Sequence, residues 1–359
     1  MSLLWMDYES EFQNLVDTAF QCECNDNPDY FSSLSKRVQK IIYRDTRYNV
    51  DFLYTSYVLK DDKIMENYSI WLFQLMDSVL KNNTSAQTAQ YVINHLEYIK
   101  QGVTKTVSED KHSDLLQLLS FAQECIRKAA AGHPDASSDI SNSRYEAEIQ
   151  QYMQSLFDKN MRQTLYLIQQ FTEKGIPVTD IYVEILAESM RRVGEMWHTA
   201  QITVDTEHYC TSVTQMAMAQ MYPSLFASER RNKTVLCACP GTELHEMGSR
   251  MVADLFENDG WDSMYLGAAV PEDAMLDSIR ENKPDLIALS VTMPQHLLAC
   301  RDLIDAIRKE FPDAVIAVGG NAFRNTHEIW SQWPVDIYTN DARELLKKAD
   351  SIVCRQAAL

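Results

Sequence analysis

The last third of the chain alternates short apolar runs with helical patterns, and this alternation is the strongest constraint on its fold. Three runs are almost continuously apolar, as expected of strands buried on both faces: 234–239, 286–291 and 314–318. Helical periodicity fills the intervals between them, at 243–258, 272–281 and 297–310. Parallel strands need such crossovers, so the pattern predicts a Rossmann-like or flavodoxin-like parallel sheet over 231–349. Two shorter candidates, 264–267 and 336–338, bring the sheet to about five strands.

The region before this sheet has helical periodicity in four segments: 144–158, 160–174, 178–196 and 203–222. Four helices of this length joined by short turns predict an antiparallel four-helix bundle over 144–227. The stretch 131–143 is small, polar and turn-forming, without the periodicity found on either side. We therefore expect it to be an interdomain linker.

The N-terminal region, 1–130, contains one glycine, Gly102, and one proline, Pro28. These residue types are the main helix breakers, so their scarcity predicts an all-helical domain. The region is also rich in aromatic residues. Such residues pack a core or line a pocket for a flat ligand, and the sequence leaves both roles open.

Composition bounds the classes of function. The 359 residues include 33 Lys and Arg against 51 Asp and Glu, a formal charge of −18 that opposes binding to a phosphate backbone. The eight cysteines form no C-x-x-C pair and no secretory signal is apparent, which favours reduced thiols in the cytoplasm. No apolar run approaches the ~20 residues of a membrane span. We expect a soluble cytoplasmic protein that binds neither DNA nor a membrane.

Three motifs lie where predicted strands end, and ligands bind at that edge of an open parallel sheet. They are Glu243-Leu244-His245-Glu246-Met247-Gly248, Ser290-Val291-Thr292 and Gly319-Gly320. Glu243 is two residues from His245 and can hold one ring nitrogen while the other faces a ligand. Taken alone, a histidine at a strand–helix turn is more often a structural group than a metal ligand.

The spacing of the three motifs resembles the cobalamin-binding module shared by methionine synthase, corrinoid methyltransferase proteins and cobalamin-dependent isomerases. The resemblance implies that His245 is the lower axial ligand of cobalt. It also implies that Glu243 is the acidic partner that tunes the basicity of this histidine. The bundle corresponds to the helical cap over the upper face of the corrin.

The same resemblance assigns the nucleotide tail of the cofactor to the remaining motif residues. Gly248 would admit the tail close to the backbone, and Ser290 and Thr292 would line its slot. Gly319 and Gly320 would let the tail pass where a side chain would clash. The expected cofactor contacts also include the intervening motif residues, Leu244, Glu246, Met247 and Val291.

A second signature lies in the bundle, where Trp197 is followed after nine residues by Glu207 and His208. This pairing resembles the adenosylcobalamin-dependent photoreceptors related to the light-responsive carotenoid regulators. By that resemblance, Trp197 packs near the 5′-deoxyadenosyl group and Glu207 contacts the same region. His208 would then coordinate cobalt from above after light breaks the Co–C bond. The alternative is structural, with Trp197 capping the bundle core and the Glu-His pair beginning a helix.

The resemblance covers about 144–345 and ends at the N-terminal domain. The light-responsive regulators carry a winged-helix DNA-binding domain there, whereas this chain has an acidic helical domain without a basic recognition helix. Photocobilins, a related group, place a helical domain beside the same module and bind a bilin. We expect the N-terminal domain either to hold a second chromophore such as biliverdin or to mediate protein contacts.

Two functions are compatible with these features. The first is a non-enzymatic light sensor that holds adenosylcobalamin, with a light-dependent dimer or tetramer, or a downstream protein partner, as its output. The second is a corrinoid methyl carrier of a methyltransferase system, which would use the same lower half of the site. Three further histidines are weaker candidates for contact with a cofactor: His198, His296 and His327.

Overall fold

The computed structural model describes residues 9–132 and 143–356, which form two compact units. The helical unit comprises the described residues before the gap together with Met293–Arg301 and Ala322–Ile329. The sheet unit comprises the rest of the described chain, including the predicted bundle. The predicted linker, 131–143, lies almost wholly outside the described residues, and the predicted domain bounds stay a prediction.

Helices account for the regular structure of residues 9–132, and the all-helical prediction for this region is confirmed. The helices are α1 (Glu9–Asp26), α2 (Pro28–Ser33), α3 (Lys36–Leu59), α4 (Asp62–Val79), α5 (Ser85–Thr106) and α6 (Glu109–Ala131). Side chains at their starts explain where two of them begin. Ser35 accepts the Val38 amide at the start of α3, and Thr84 forms a capping box with Gln87 at the start of α5.

The predicted four-helix bundle is also confirmed. Its elements are α7 (Glu146–Phe157), α8 (Met161–Glu173), α9 (Val178–Asp180), a π-helix (Ile181–Leu186), α10 (Ala187–His198) and α11 (Val204–Ala219), followed by the short α12 (Tyr222–Leu225). The third predicted helix is therefore one rod built from α9, the π-helix and α10. Periodicity did not indicate the π-helix, because the widened turn spans only six residues and leaves the apolar stripe largely intact.

The C-terminal sheet has the predicted five parallel strands. They are β1 (Thr234–Pro240), β2 (Asp262–Val270), β3 (Leu286–Ser290), β4 (Ile316–Gly319) and β5 (Ile337–Tyr338). Their order, β2-β1-β3-β4-β5, is that of a flavodoxin-like sheet. The helices that follow the first strand are α13 (Met247–Asn258), α14 (Glu272–Asn282), α15 (Leu297–Glu310), α16 (Asn321–Arg324) and α17 (Ala342–Gln356).

Helix α13 is the element that joins the bundle to the sheet within the sheet unit. Met251 and Leu255 belong to the buried core of the bundle, whereas Ala253 and Phe256 belong to the buried core of the sheet. The first pair is four residues apart and lies on one face of the helix, while the second pair faces the other way. The residues at the start of α13 are thus fixed from two sides.

Among the described residues, no helix is long and apolar enough to cross a membrane.

Two glycines in helices provide a test of the packing. A Cβ at Gly102 in α5 would lie 2.7 Å from Leu15 Cδ1 and 3.2 Å from Leu15 O, whereas a Cβ at Gly194 in α10 would meet no atom within 4 Å. We expect Gly102→Ala to destabilise the helical unit by roughly 1–3 kcal/mol, because overpacking outweighs helix propensity. Gly194→Ala should stabilise the sheet unit by up to about 1 kcal/mol. Thermal unfolding followed by calorimetry checks both, and equal effects of the two changes would contradict the packing of α1 on α5.

Candidate functional site

A buried carboxylate organises the loop after β1. Glu243 is fully buried, and its Oε1 accepts the main-chain N–H of His245 at 2.9 Å and lies 2.6 Å from the ring nitrogen Nδ1 of the same residue. Its Oε2 accepts the main-chain N–H of Thr292 at 2.9 Å. One side chain therefore connects the loop that follows β1 with the loop that follows β3.

The His245 ring is held at one nitrogen and open at the other. Its side chain is 58% exposed. The hydrogen bond that His245 donates to Glu243 raises the pKa of His245, burial opposes this, and the charges of Glu243 and Glu207 add to the rise. With Nδ1 donating to the carboxylate, Nε2 is the basic nitrogen, which is the arrangement found when a carboxylate accepts a hydrogen bond from a metal-binding histidine. The chain can thus offer a neutral, electron-rich imidazole nitrogen to a metal.

Beside this loop, the sheet unit contains a cavity of about 250 Å³. It is lined by four of the predicted residues, Gly248, Ser290, Gly319 and Gly320. A Cβ at Gly248 would meet only Ser290 Oγ, at 4.0 Å, so a larger side chain there would grow into open space. A cavity of about 150 Å³ suffices to hold benzene, so this one has room for a larger group.

The two glycines at the end of β4 are required by the protein's own backbone, which is a reason separate from the one expected for them. A Cβ at Gly319 would lie 2.6 Å from Thr339 O. Gly320 has a φ of +102°, and its Cβ would lie 2.3 Å from Val291 O. Side chains are excluded here by neighbouring chain segments, whether or not a ligand passes.

Other motif residues occupy different surroundings. Thr292 is not among the residues that line the cavity, so its part in the site is the amide that binds Glu243. Val291 is buried and is also absent from the lining. Leu244 is 73% exposed beside His245, an unusual position for an apolar side chain. Met247 packs against the bundle core at the start of α13.

The bundle residues of the second signature lie at the ends of α10 and α11. Trp197 is half-buried in the last turn of α10. Glu207 lies in the first turn of α11, where its Oε2 is 2.5 Å from His208 Nδ1 and its Oε1 accepts Thr211 Oγ1 at 2.9 Å. The His208 side chain is 74% exposed. A carboxylate thus holds Nδ1 of this histidine as well.

Some cavity residues were not predicted. Val183 and Ala187 reach it from the π-helix and the start of α10, and residues 339–341 reach it from the end of β5. The position of residues 339–341 could have been predicted, because they follow the predicted strand 336–338. The carboxyl end of that strand lies at the same edge of the sheet as the three motifs. The contribution of Val183 depends on the π-helix, which leaves no recognisable pattern in the sequence.

Comparison with known proteins shows which family models match the two regions that form this site. Residues 148–222 and 233–346 each match a family model described as a B12 binding domain. The chain carries a cobalamin-binding module. Together these two matches span the bundle, the loop of His245 and the cavity, so the module includes every predicted site residue.

The similar proteins differ in function. Over 169 residues the chain is 27% identical to the HTH-type transcriptional repressor CarH of Myxococcus xanthus, covering 46% of this chain and only 56% of the repressor. It is 23% identical over 219 residues to monomethylamine corrinoid protein 1 of Methanosarcina acetivorans, covering 56% of this chain and 98% of that protein. The solved structure of the Methanosarcina barkeri monomethylamine corrinoid protein shares the fold, with a TM-score of 0.51, 19% identity, and coverage of 58% of this chain and 98% of that one.

Removing the charge of Glu243 tests the lower half of the module. Glu243→Gln places an amide N–H₂ opposite a donor at His245 or Thr292, so the sheet unit should lose about 1–3 kcal/mol of stability. Cobalamin affinity should fall roughly 10- to 100-fold. Chemical unfolding of the apoprotein and titration with cobalamin measure the two effects. Thr292→Val keeps the amide and should remain close to wild type, whereas wild-type behaviour of Glu243→Gln would refute this role of the carboxylate.

Proposed function

We propose that this protein is a light sensor that binds adenosylcobalamin. The observation that carries the proposal is that two histidine–carboxylate pairs occur in the module. One is Glu207–His208 at the start of α11, and the other is Glu243–His245 in the loop after β1. Each pair has the same chemistry, in which a carboxylate holds Nδ1 and leaves Nε2 for a ligand. A methyl carrier has no obvious need for a second such histidine on the cap.

The lower half of the site would hold the cofactor permanently. His245 Nε2 would ligate cobalt, and Glu243 would fix the tautomer and orientation of its ring. Gly248 and Ser290 would hold the nucleotide tail in the cavity beside them. Because Glu243 is buried and accepts two main-chain N–H groups, this half is organised before any cofactor binds.

The upper half would respond to light. When bound, adenosylcobalamin supplies a Co–C bond that light can break. Trp197 would cover the adenosyl group, and Glu207 would keep the Nδ1 of His208 occupied so that Nε2 is available. His208 would then bind from above, with His198, in the last turn of α10, as the other candidate for that position.

The proposed output goes through protein contacts. Movement of the bundle against the sheet domain would change a homodimer or homotetramer, or the docking of a downstream protein. The net charge of −18 argues against direct DNA binding. The protein would act as a receptor and would catalyse no reaction.

Absorption spectroscopy of the purified protein, loaded with adenosylcobalamin in the dark and then exposed to green light, tests this function. We expect loss of the alkylcobalamin spectrum and appearance of a species with histidine on both faces of cobalt. His208→Ala should keep the dark spectrum and lose the second histidine, while His198→Ala should behave as wild type. If His198→Ala lost the second histidine and His208→Ala behaved as wild type, the upper ligand would be His198. A Co–C bond that survives illumination in the wild-type protein would refute the light sensor.

A second candidate function is a corrinoid methyl carrier. It is favoured by the match to a monomethylamine corrinoid protein, which extends over 98% of that protein. A carrier would be expected to prefer methylcobalamin to adenosylcobalamin and to lose its methyl group to a methyltransferase in the dark. Competition between the two cobalamins for the apoprotein separates the candidates before any partner is known.

We further propose that the N-terminal helices hold a bilin. The support is the resemblance to photocobilins and a set of flat rings in these helices that remain exposed. Tyr30, Tyr48 and Trp71 are each more than a third exposed, and Trp71 stacks near Tyr68. Such rings can pack against a planar tetrapyrrole.

Supplying biliverdin to the purified protein tests the second chromophore. A bound bilin should add a long-wavelength band that Trp71→Ala weakens, while the cobalamin spectrum stays unchanged. Phe226→Ala is the matched control, since Phe226 is an exposed aromatic residue in the sheet unit. If biliverdin does not bind even the wild-type protein, the N-terminal helices have another role, such as protein contacts.

A further inference from the structure

Glu246 directly follows His245. Like Glu243, it accepts hydrogen bonds through both oxygens of its carboxylate. Glu246 accepts a hydrogen bond from Gln215 Nε2 at 3.1 Å through Oε1. Its Oε2 accepts Tyr265 Oη at 2.9 Å and the Ala268 main-chain N–H at 3.1 Å. The carboxylate thus connects three parts of the sheet unit, namely the loop of His245, helix α11 and strand β2.

The contact with α11 reaches the helix that carries the upper histidine. Gln215 follows His208 by seven residues, or two helical turns, so both side chains lie on the same face roughly 10 Å apart. Thr211 lies between them and binds Glu207. Since a helix is stiff over two turns, a shift of the His208 end displaces Gln215 as well.

The contact with β2 makes the other end of this connection rigid. Ala268 belongs to a strand that pairs with β1, and Ala269 donates its N–H to the main-chain oxygen of Glu243 at 2.9 Å. Tyr265 packs against the buried core of the sheet. Glu246 is therefore bonded to the sheet through Oε2 and to helix α11 through Oε1, so a displacement of either element acts on the same rigid carboxylate.

We propose that Glu246 is a positioning residue that couples helix α11 to the loop of the lower histidine. A displacement at the upper side of the module reaches His245 through Gln215 and Glu246, and a change at His245 reaches α11 by the same route. This proposal rests on the proposed function for its purpose, but the coupling itself exists in the dark and needs no photochemistry.

Variants of the two ends separate coupling from general stability. Gln215→Ala and Glu246→Ala each break the Oε1 contact. Glu246→Gln is the conservative rescue, because Gln215 can turn its amide and accept the new N–H while the glutamine oxygen still accepts from Tyr265. Tyr265→Phe is the matched control, since it removes the contacts of the Tyr265 hydroxyl with Glu246 and leaves the contact to α11. Unfolding of each apoprotein shows whether the variant is folded.

The measurement is made in the dark on protein loaded with cobalamin and reduced to Co(II). Electron paramagnetic resonance then reports the nitrogen of the lower ligand by its splitting of the cobalt signal. We expect Gln215→Ala and Glu246→Ala to lower the fraction with His245 bound and to weaken cobalamin affinity by roughly 10-fold. The double variant should be no worse than Glu246→Ala alone, and Glu246→Gln should restore the signal.

Two results would overturn the coupling. One is a folded Glu246→Ala protein with the wild-type nitrogen splitting and affinity. The other is full additivity of the Gln215 and Glu246 changes, which would mean that the two residues act independently. Neither result bears on whether light breaks the Co–C bond, so failure of the coupling and failure of the light sensor are distinguishable.

Discussion

The site depends on the buried carboxylate of Glu243. Removing a carboxylate from water costs several kcal/mol unless its oxygens are satisfied, and here three N–H groups from His245 and Thr292 satisfy them. Two of the three are main-chain groups from loops that follow different strands, so the side chain fixes the spacing of those loops as well as the ring of His245. The hydrogen bond to Glu243 is also the largest cause of the raised pKa of that histidine. One side chain therefore sets the position of the His245 ring and contributes most to its basicity.

Two of the three motifs contain glycines, and the reasons for a glycine differ between them. Gly319 and Gly320 face neighbouring backbone at less than 3 Å from a notional Cβ, so the fold alone demands them. Gly248 has no such neighbour, and the nearest atom to its notional Cβ is Ser290 Oγ at 4.0 Å on the wall of the cavity. Only at Gly248 does the missing side chain leave room that the protein itself does not use. That position is accordingly the one that argues for a ligand.

The sequence predicted the sheet, the bundle and the cavity residues at strand ends, because buried parallel strands and helical stripes leave strong periodic patterns. It did not predict contacts that depend on tertiary placement. Glu246 was expected only as a cofactor contact, since nothing in the motif indicates that its oxygens reach Gln215 and Tyr265. Val183 was missed because the π-helix that presents it leaves no periodic sign. Patterns locate elements and edges, whereas cross-element hydrogen bonds require the folded chain.

The two histidine–carboxylate pairs share their chemistry and differ in how firmly they are held. Glu243 is buried and tied to two loops, whereas Glu207 is held in α11 by Thr211, and the His208 ring is 74% exposed. A histidine that must stay bound to a metal needs a buried carboxylate partner whose hydrogen bonds are all formed. A histidine that binds only under some conditions must reach the metal without breaking a buried hydrogen-bond network. This asymmetry suits a permanent lower ligand and a conditional upper one. The proposed sensor therefore has a use for the second pair, whereas a carrier that exposes cobalt to partner enzymes has no evident need of it.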